Sequence, residues 1–328
     1  MLFSVISVHA IAERVVAQDP DAVVRLRLLR DVLQRPADSP ELVQARHDVA
    51  RSHWVQELER EQWSDGSWGR LHSRDYRAQQ KIPTTEVGVE RALALGLDAA
   101  HPVLTGAAQY LERVLEGAVQ CRDRPEKNDR WPTGVRLFSA ATLAQIQPGH
   151  PALDREWDLW VYVARRTFAA GVYDPQAEVH AHRELTGASV KDSYLVLDNK
   201  YTLALLGSRA AALPRELERA LVNWVWHKPD GMRYMGVELS HPPHPLKAGP
   251  LDHWFTSLER LSRFPSWRSL AGDVVRWLWG QQAPGGLWDL GPRPTFSVAL
   301  PLSNNWRKKM ARQYDWTTRI LSLLQRHC

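Results

Sequence analysis

Gln62-Trp63-Ser64-Asp65-Gly66-Ser67-Trp68-Gly69 and Gln282-Ala283-Pro284-Gly285-Gly286-Leu287-Trp288 share one pattern: glutamine, three residues, glycine, one residue, tryptophan. Each copy follows a helix-like apolar run. The chemistry of the pattern is local. A glutamine amide caps a helix end or bonds neighbouring backbone, a glycine admits a left-handed turn, and an indole packs over the joint. The pattern therefore staples one helical hairpin to the next. A worn copy stands at His227-Lys228-Pro229-Asp230-Gly231 and ends in Tyr234.

Outside the staples, apolar residues recur at three- and four-residue spacing and alternating runs are nearly absent, so the expected class is all-α. The spacing predicts helices over 21–33, 41–61, 84–95, 101–115, 133–146, 152–169, 192–206, 214–226, 251–264, 266–280 and 314–326, with Gly171 to Lys191 as the longest nonperiodic stretch. Alternate helices open on similar words: Ile82-Pro83-Thr84-Thr85-Glu86, Arg130-Trp131-Pro132-Thr133, Leu197-Asp198-Asn199-Lys200-Tyr201-Thr202, Leu251-Asp252-His253-Trp254-Phe255-Thr256 and Tyr314-Asp315-Trp316-Thr317-Thr318. Thr85, Thr133, Thr202, Thr256 and Thr318 are 48, 69, 54 and 62 residues apart, a period that suits two helices with their loops. With 21–33 as a degenerate first member, six hairpins result. The expectation is an (α/α)6 toroid, one domain over 1–328, with 1–20 as an N-terminal helical extension.

Composition narrows the classes. With 44% hydrophobic residues and no apolar run near the roughly 18 that a spanning helix needs, the chain can build a core but not cross a bilayer. Met1 to Ala12 lacks the basic start of a secretory leader. The two cysteines, Cys121 and Cys328, supply neither a disulfide framework nor a cysteine zinc cluster, so a cytoplasmic setting is expected. The net charge of +5 is interspersed, which excludes a nucleic-acid stripe and leaves a bias toward anions such as diphosphates or lipid headgroups, hence a peripheral membrane contact. Tryptophan occurs 15 times against 6 phenylalanines and 8 tyrosines, so something here favours indoles.

In a ring of hairpins the inner-helix starts face one mouth, where Glu86, Asp198, Asp252 and Asp315 would gather as a ring of acids. Crowded carboxylates raise one another's pKa, which keeps an acid protonated at neutral pH. The competing reading is that each acid caps its own helix. Trp131, Trp254 and Trp316 stand at the same mouths and are the candidate cavity aromatics. Trp224, Trp226, Trp277 and Trp279 read as interhelical packing. His180-Ala181-His182-Arg183-Glu184 and His241-Pro242-Pro243-His244 show no third ligand at defined spacing, so no metal is expected.

Q-x3-G-x-W is similar to the QW repeat of squalene-hopene cyclases, and Asp198-Asn199-Lys200-Tyr201-Thr202 resembles the D-x-x-Y-T repeat of protein prenyltransferase beta subunits. The resemblance covers Glu41 to the carboxyl end. It implies an α/α toroid acting on a polyprenyl substrate in a Trp-lined cavity, by acid-initiated cyclisation or as a prenyl-binding barrel. The chain departs from both families. Pro83-Thr84-Thr85-Glu86 stands where cyclases carry D-x-D-D, so Glu86 or Asp252 would have to serve as the acid, with Asp198 and Asp315 as helpers. Prenyltransferase zinc ligands are missing, so neither metal nor cofactor is implied; Tyr201, Lys200, Arg136 and Arg307 are available to a diphosphate. A carbohydrate-active barrel with an acid pair and a noncatalytic scaffold that binds a protein partner are the rival readings.

Overall fold

The computed structural model describes residues 5–188 and 194–327; Lys191, Asp192 and Cys328 lie outside the described residues. Fifteen α-helices are present among the described residues: α1 (Val5–Val16), α2 (Ala22–Arg27), α3 (Pro40–Ala50), α4 (His53–Glu61), α5 (Thr85–Ala94), α6 (Pro102–Leu115), α7 (Trp131–Ile146), α8 (Asp154–Thr167), α9 (Pro175–Thr186), α10 (Lys200–Ser208), α11 (Arg215–His227), α12 (Ala248–Leu261), α13 (Trp267–Leu270), α14 (Gly272–Gly280) and α15 (Lys309–His327). A π-helical turn, Leu28–Val32, extends α2. The only β-type pairing among the described residues is an isolated bridge between Asn199 and Arg233. The chain is all-α, and one continuous apolar core runs from Val8 to Leu324. No described helix is long and apolar enough to cross a membrane.

Several boundaries differ from the sequence reading. The helix expected over 41–61 is broken because the Ser52 hydroxyl accepts the Val55 N–H and starts α4 afresh. The helix expected from Asp192 begins instead at Lys200, where the Asn199 side chain accepts from the Tyr201 N–H. The stretch read as nonperiodic contains α9, capped by Asp174, led by Pro175 and closed by Gly187 at φ 68°. Its buried face holds Glu178, Ala181 and His182, so two of its three inward residues are polar and the apolar period is hidden.

Both intact staples fold as their chemistry dictates, with matching bonds. Gln62 donates to the Gly66 carbonyl at 2.9 Å, and Gln282 to the Gly286 carbonyl at 3.2 Å. Gly66 and Gly286 are left-handed, at φ 91° and 69°. Trp68 and Trp288 are buried and donate their indole N–H to Leu58 and Leu278, ten residues upstream in each case. Their backbone N–H groups bond the hydroxyls of Thr85 and Thr317. The repeat register is therefore Thr85 with Thr317, one residue off the Thr318 alignment. In the worn copy Gly231 is left-handed, but Tyr234 is exposed and packs no joint.

The packing order positions the site. Helices α5, α7, α10 and α12 pack each against the next, while α15 packs on α1, α2 and the π turn. Arg27 and Arg30 bond the carbonyls of Ala94 and Gly96 at the end of α5, and Arg319 of α15 bonds Asp252, Thr256 and Glu259 of α12.

Candidate functional site

The first staple places Glu86. After Trp68 the chain runs alongside the start of α5, where the N–H groups of Thr85 and Glu86 bond the carbonyls of Arg70 and Leu71. The segment is fixed from its other side by Asp123, whose carboxylate accepts the N–H groups of Leu71, His72 and Ser73 at 2.6, 3.0 and 2.6 Å and the Ser73 hydroxyl at 2.8 Å. His72 is thereby turned onto Glu86, with Nδ1 2.9 Å from Oε2.

Glu86 is buried, and its carboxylate takes three further contacts. Lys200 Nζ lies 2.5 Å from Oε1, and the Tyr201 hydroxyl lies 2.8 Å from both oxygens. The same hydroxyl is 2.8 Å from His72 Nδ1. Phe138 stacks on His72 at 4.3 Å and 26°, touches Tyr201 at 4.6 Å and leads out to Tyr194 at 5.4 Å. Gly134 makes room for that tyrosine, since a Cβ there would stand 2.5 Å from the Tyr194 ring.

Electrostatics sets the protonation states. Burial would raise the Glu86 carboxyl, but Lys200 and His72 outweigh it and hold the group well below the usual carboxylate range. Burial, reinforced by Glu86, pushes Tyr201 well above the usual phenol range. Glu86 is thus an anion and Tyr201 a neutral donor. A carboxylate facing Nδ1 favours the tautomer with the proton on Nδ1, which leaves the Nε2 lone pair of the part-exposed His72 ring free to take a proton.

The other expected acids lie apart from this cluster. Asp198 pairs with Lys228 at 3.0 Å and Arg233 at 3.5 Å. Asp252 receives Arg319 at 2.5 Å and the Ser297 hydroxyl at 3.1 Å. Asp315 accepts the N–H groups of Leu302 and Ser303 and the Ser303 hydroxyl, and burial pushes its carboxyl up to about 6. Each of the three is thus answered by cations, hydroxyls or backbone N–H groups of its own, none of which bonds Glu86. Nor does Asp198, Asp252 or Asp315 cap its helix: Asn199 and Lys247 hold the cap positions of α10 and α12, and Asp315 lies inside α15.

The indoles also divide. Trp254 and Trp316 are sealed in protein, with indole N–H groups bonded to the carbonyls of Leu239 and Gly291, so they close joints and wall no cavity. Trp131 is half-buried at the first residue of α7 and keeps part of its surface open. Tyr201 and Lys200 belong to the cluster. Arg136 does not: it ties α7 to Glu156 and to the Leu115 carbonyl. Arg307 is exposed on the loop before α15. Among the described residues no group of three or more metal-ligating side chains is assembled; His182 is buried against Trp160 and His241 pairs with Glu238 at the surface.

Sequence reasoning missed His72, Asp123, Phe138 and Tyr194. His72 carries a faint signal, four residues past the staple tryptophan; the others carry none. No family model, curated protein or solved structure matches the chain.

Proposed function

We propose that the six hairpins close as an α/α toroid of the cyclase and prenyltransferase kind, and that an isoprenoid ligand binds at the mouth bounded by His72, Phe138, Tyr194, Tyr201 and Trp131. The observation that carries the chemical part is the Glu86–His72–Tyr201 triangle. A buried, ionised carboxylate cannot start cyclisation by giving up a proton, so Glu86 is recast from proton donor to the group that orients His72. His72 Nε2 is the base. Once diphosphate has left a polyprenyl diphosphate with its bonding electron pair, His72 takes a proton from the carbon beside the resulting cation, whose charge faces the neighbouring aromatic rings. The C–H electron pair becomes the new double bond. Support for the isoprenoid class comes from the staples, which reproduce one bonding pattern at two joints 220 residues apart, counted from Gln62 to Gln282. The setting is read as cytoplasmic.

Incubation of the purified chain with squalene and linear polyprenyl diphosphates, followed by mass spectrometry of product and retained lipid, tests this. A product expected from the wild type falls by roughly a hundredfold or more in His72→Gln and Glu86→Gln, the range for loss of a general base. No product and no retained lipid, or a product that His72→Gln leaves unchanged, refutes it. The noncatalytic scaffold is the second reading; it is favoured by the ion pairing of Glu86, Asp198 and Asp252 alike.

A further inference from the structure

One helical turn along α5 from Glu86, at Glu90, the chemistry changes. Towards the carboxyl ends of α2, α5, α7, α12 and α15 lies a cavity of about 170 Å³, more than ten times the roughly 10–15 Å³ that one water needs. No tryptophan lines it. Its charged lining is Arg27, Arg260, Arg263, Arg319 and Arg326 against Glu90 and Glu259, five cations facing two anions.

Helix ends explain part of this. Carboxyl-terminal carbonyls carry negative partial charge, and arginines offset it. Arg27 bonds Asp31 and the Ala94 carbonyl, and Arg326 bonds the Glu259 carbonyl and the Ser262 hydroxyl. Arg319 is saturated by Glu259, Asp252 and Thr256. Two arginines are left over. Arg260, 8% exposed, gives one N–H to Glu90 at 2.6 Å, while its Nε is buried without a partner. Arg263 makes no side-chain hydrogen bond or ion pair with any described residue. Arg326 and Arg260 are among the like charges that face its guanidinium. Its side chain is exposed and lines the pit.

We infer that this pit binds a small phosphoryl anion, phosphate or diphosphate, gripped by Arg260, Arg263 and Arg326. Guanidinium forks match phosphoryl oxygens in pairs; with Asp31 and Asp252 answering Arg27 and Arg319, the open donors are those of Arg260 and Arg263, and two guanidinium groups in so small a space call for a compact multivalent anion. Glu86 and His72 do not line the pit, so the inference stands or falls independently of the proton-transfer site.

Calorimetric titration and thermal melts of the full chain, at constant ionic strength, with phosphate, diphosphate, sulfate, citrate and a linear polyprenyl diphosphate, provide the test. Diphosphate is expected to bind tightest of the inorganic ions and to raise the melting temperature. Arg263→Gln is expected to weaken diphosphate at least about tenfold, equivalent to ~1.4 kcal/mol. The same variant, without anion, should melt at or above the wild-type temperature, because it relieves a crowd of like charges. Arg51→Gln, a change of equal charge at an exposed position after α3, should bind as the wild type does. A polyprenyl diphosphate is expected to bind no tighter than inorganic diphosphate. The inference is overturned if no anion binds better than sulfate, if citrate binds tightest, if Arg263→Gln leaves binding unchanged, if Arg51→Gln weakens it equally, or if only the lipid diphosphate binds.

Discussion

Helix α5 passes over the first staple at Gly88, and a methyl group there tests the joint. A Cβ at Gly88 would stand 2.5 Å from Cδ2 and Cε3 of Trp68 and 2.9 Å from Cζ3. Ordinary carbon contacts begin near 3.5 Å, so the overlap is about 1 Å. The indole cannot swing aside: it is buried, its Nε1 donates to Leu58 at 3.0 Å and its backbone N–H to Thr85 at 3.1 Å. Two effects oppose each other in Gly88→Ala. Helix propensity favours alanine by about 1 kcal/mol, whereas overpacking costs about 1–3 kcal/mol. With a rigid aromatic as the obstacle the cost lies at the upper end, and the variant should lose about 1–2 kcal/mol. Gly249, in the first turn of α12, meets nothing within 4 Å, so Gly249→Ala should be neutral or stabilising. Urea melts read both, with equal m-values required for the comparison. In a Trp68→Leu background the Gly88→Ala cost should largely vanish. A Gly88→Ala protein as stable as the wild type would refute the account of the staple.

Two further outcomes follow from single carboxylates. Asp315 titrates at about 6 in the folded chain, above its ordinary 3.8, so the folded state holds the proton more tightly. Its contribution is present below about pH 4 and is lost as pH rises to about 6, by about 3 kcal/mol. The opposing Asp31, held down to about 2 by Arg27 and Arg30 against its burial, acts only at lower pH. But His182, brought down to about 4 by burial, opposes Asp315 in the same window, because its contribution is gained as pH rises from about 4 to 6.5. Denaturation midpoints from pH 4 to 7 should therefore change little in the wild type and slope upward in Asp315→Asn; an unchanged slope in the variant would place the effect elsewhere. Asp123→Ala orphans the N–H groups of Leu71, His72 and Ser73. At about 1–3 kcal/mol for the buried Leu71 N–H left unpaired, and less for the part-buried N–H groups of His72 and Ser73, a loss of about 2–3 kcal/mol is expected in urea melts, together with broadening of the His72 ring resonances.

What could be read from the sequence is what is chemically local. Gln62, Gly66 and Trp68 find their partners within the joint they build, so their spacing alone announces it. The acids found theirs across the chain: Glu86 with Lys200 and Tyr201, Asp252 with Arg319, His72 held by Asp123. No periodicity encodes such pairings, and the same blindness hid α9 behind Glu178 and His182. Trp254 and Trp316 were misread for a different reason. An indole with one N–H and a broad apolar face suits a buried joint beside a loop carbonyl better than an open wall, and both found such a carbonyl.

The two staples also separate what is scaffold from what is specific. In each, the chain returning from the tryptophan is clamped by a buried carboxylate: Asp123 holds residues 71–73, and Asp315 holds residues 302–303. In each, a threonine of the next helix receives the tryptophan N–H. The residue after that threonine differs. After Thr317 it is Thr318, whose hydroxyl turns back onto the Tyr314 carbonyl and serves only its own helix. After Thr85 it is Glu86, a carboxylate that no joint requires and that draws His72, Lys200 and Tyr201 around it. The scaffold alone accounts for the threonine. A buried charge costs too much to keep without use of its own, and that difference between two otherwise matching joints is the reason to look for the chemistry at Glu86.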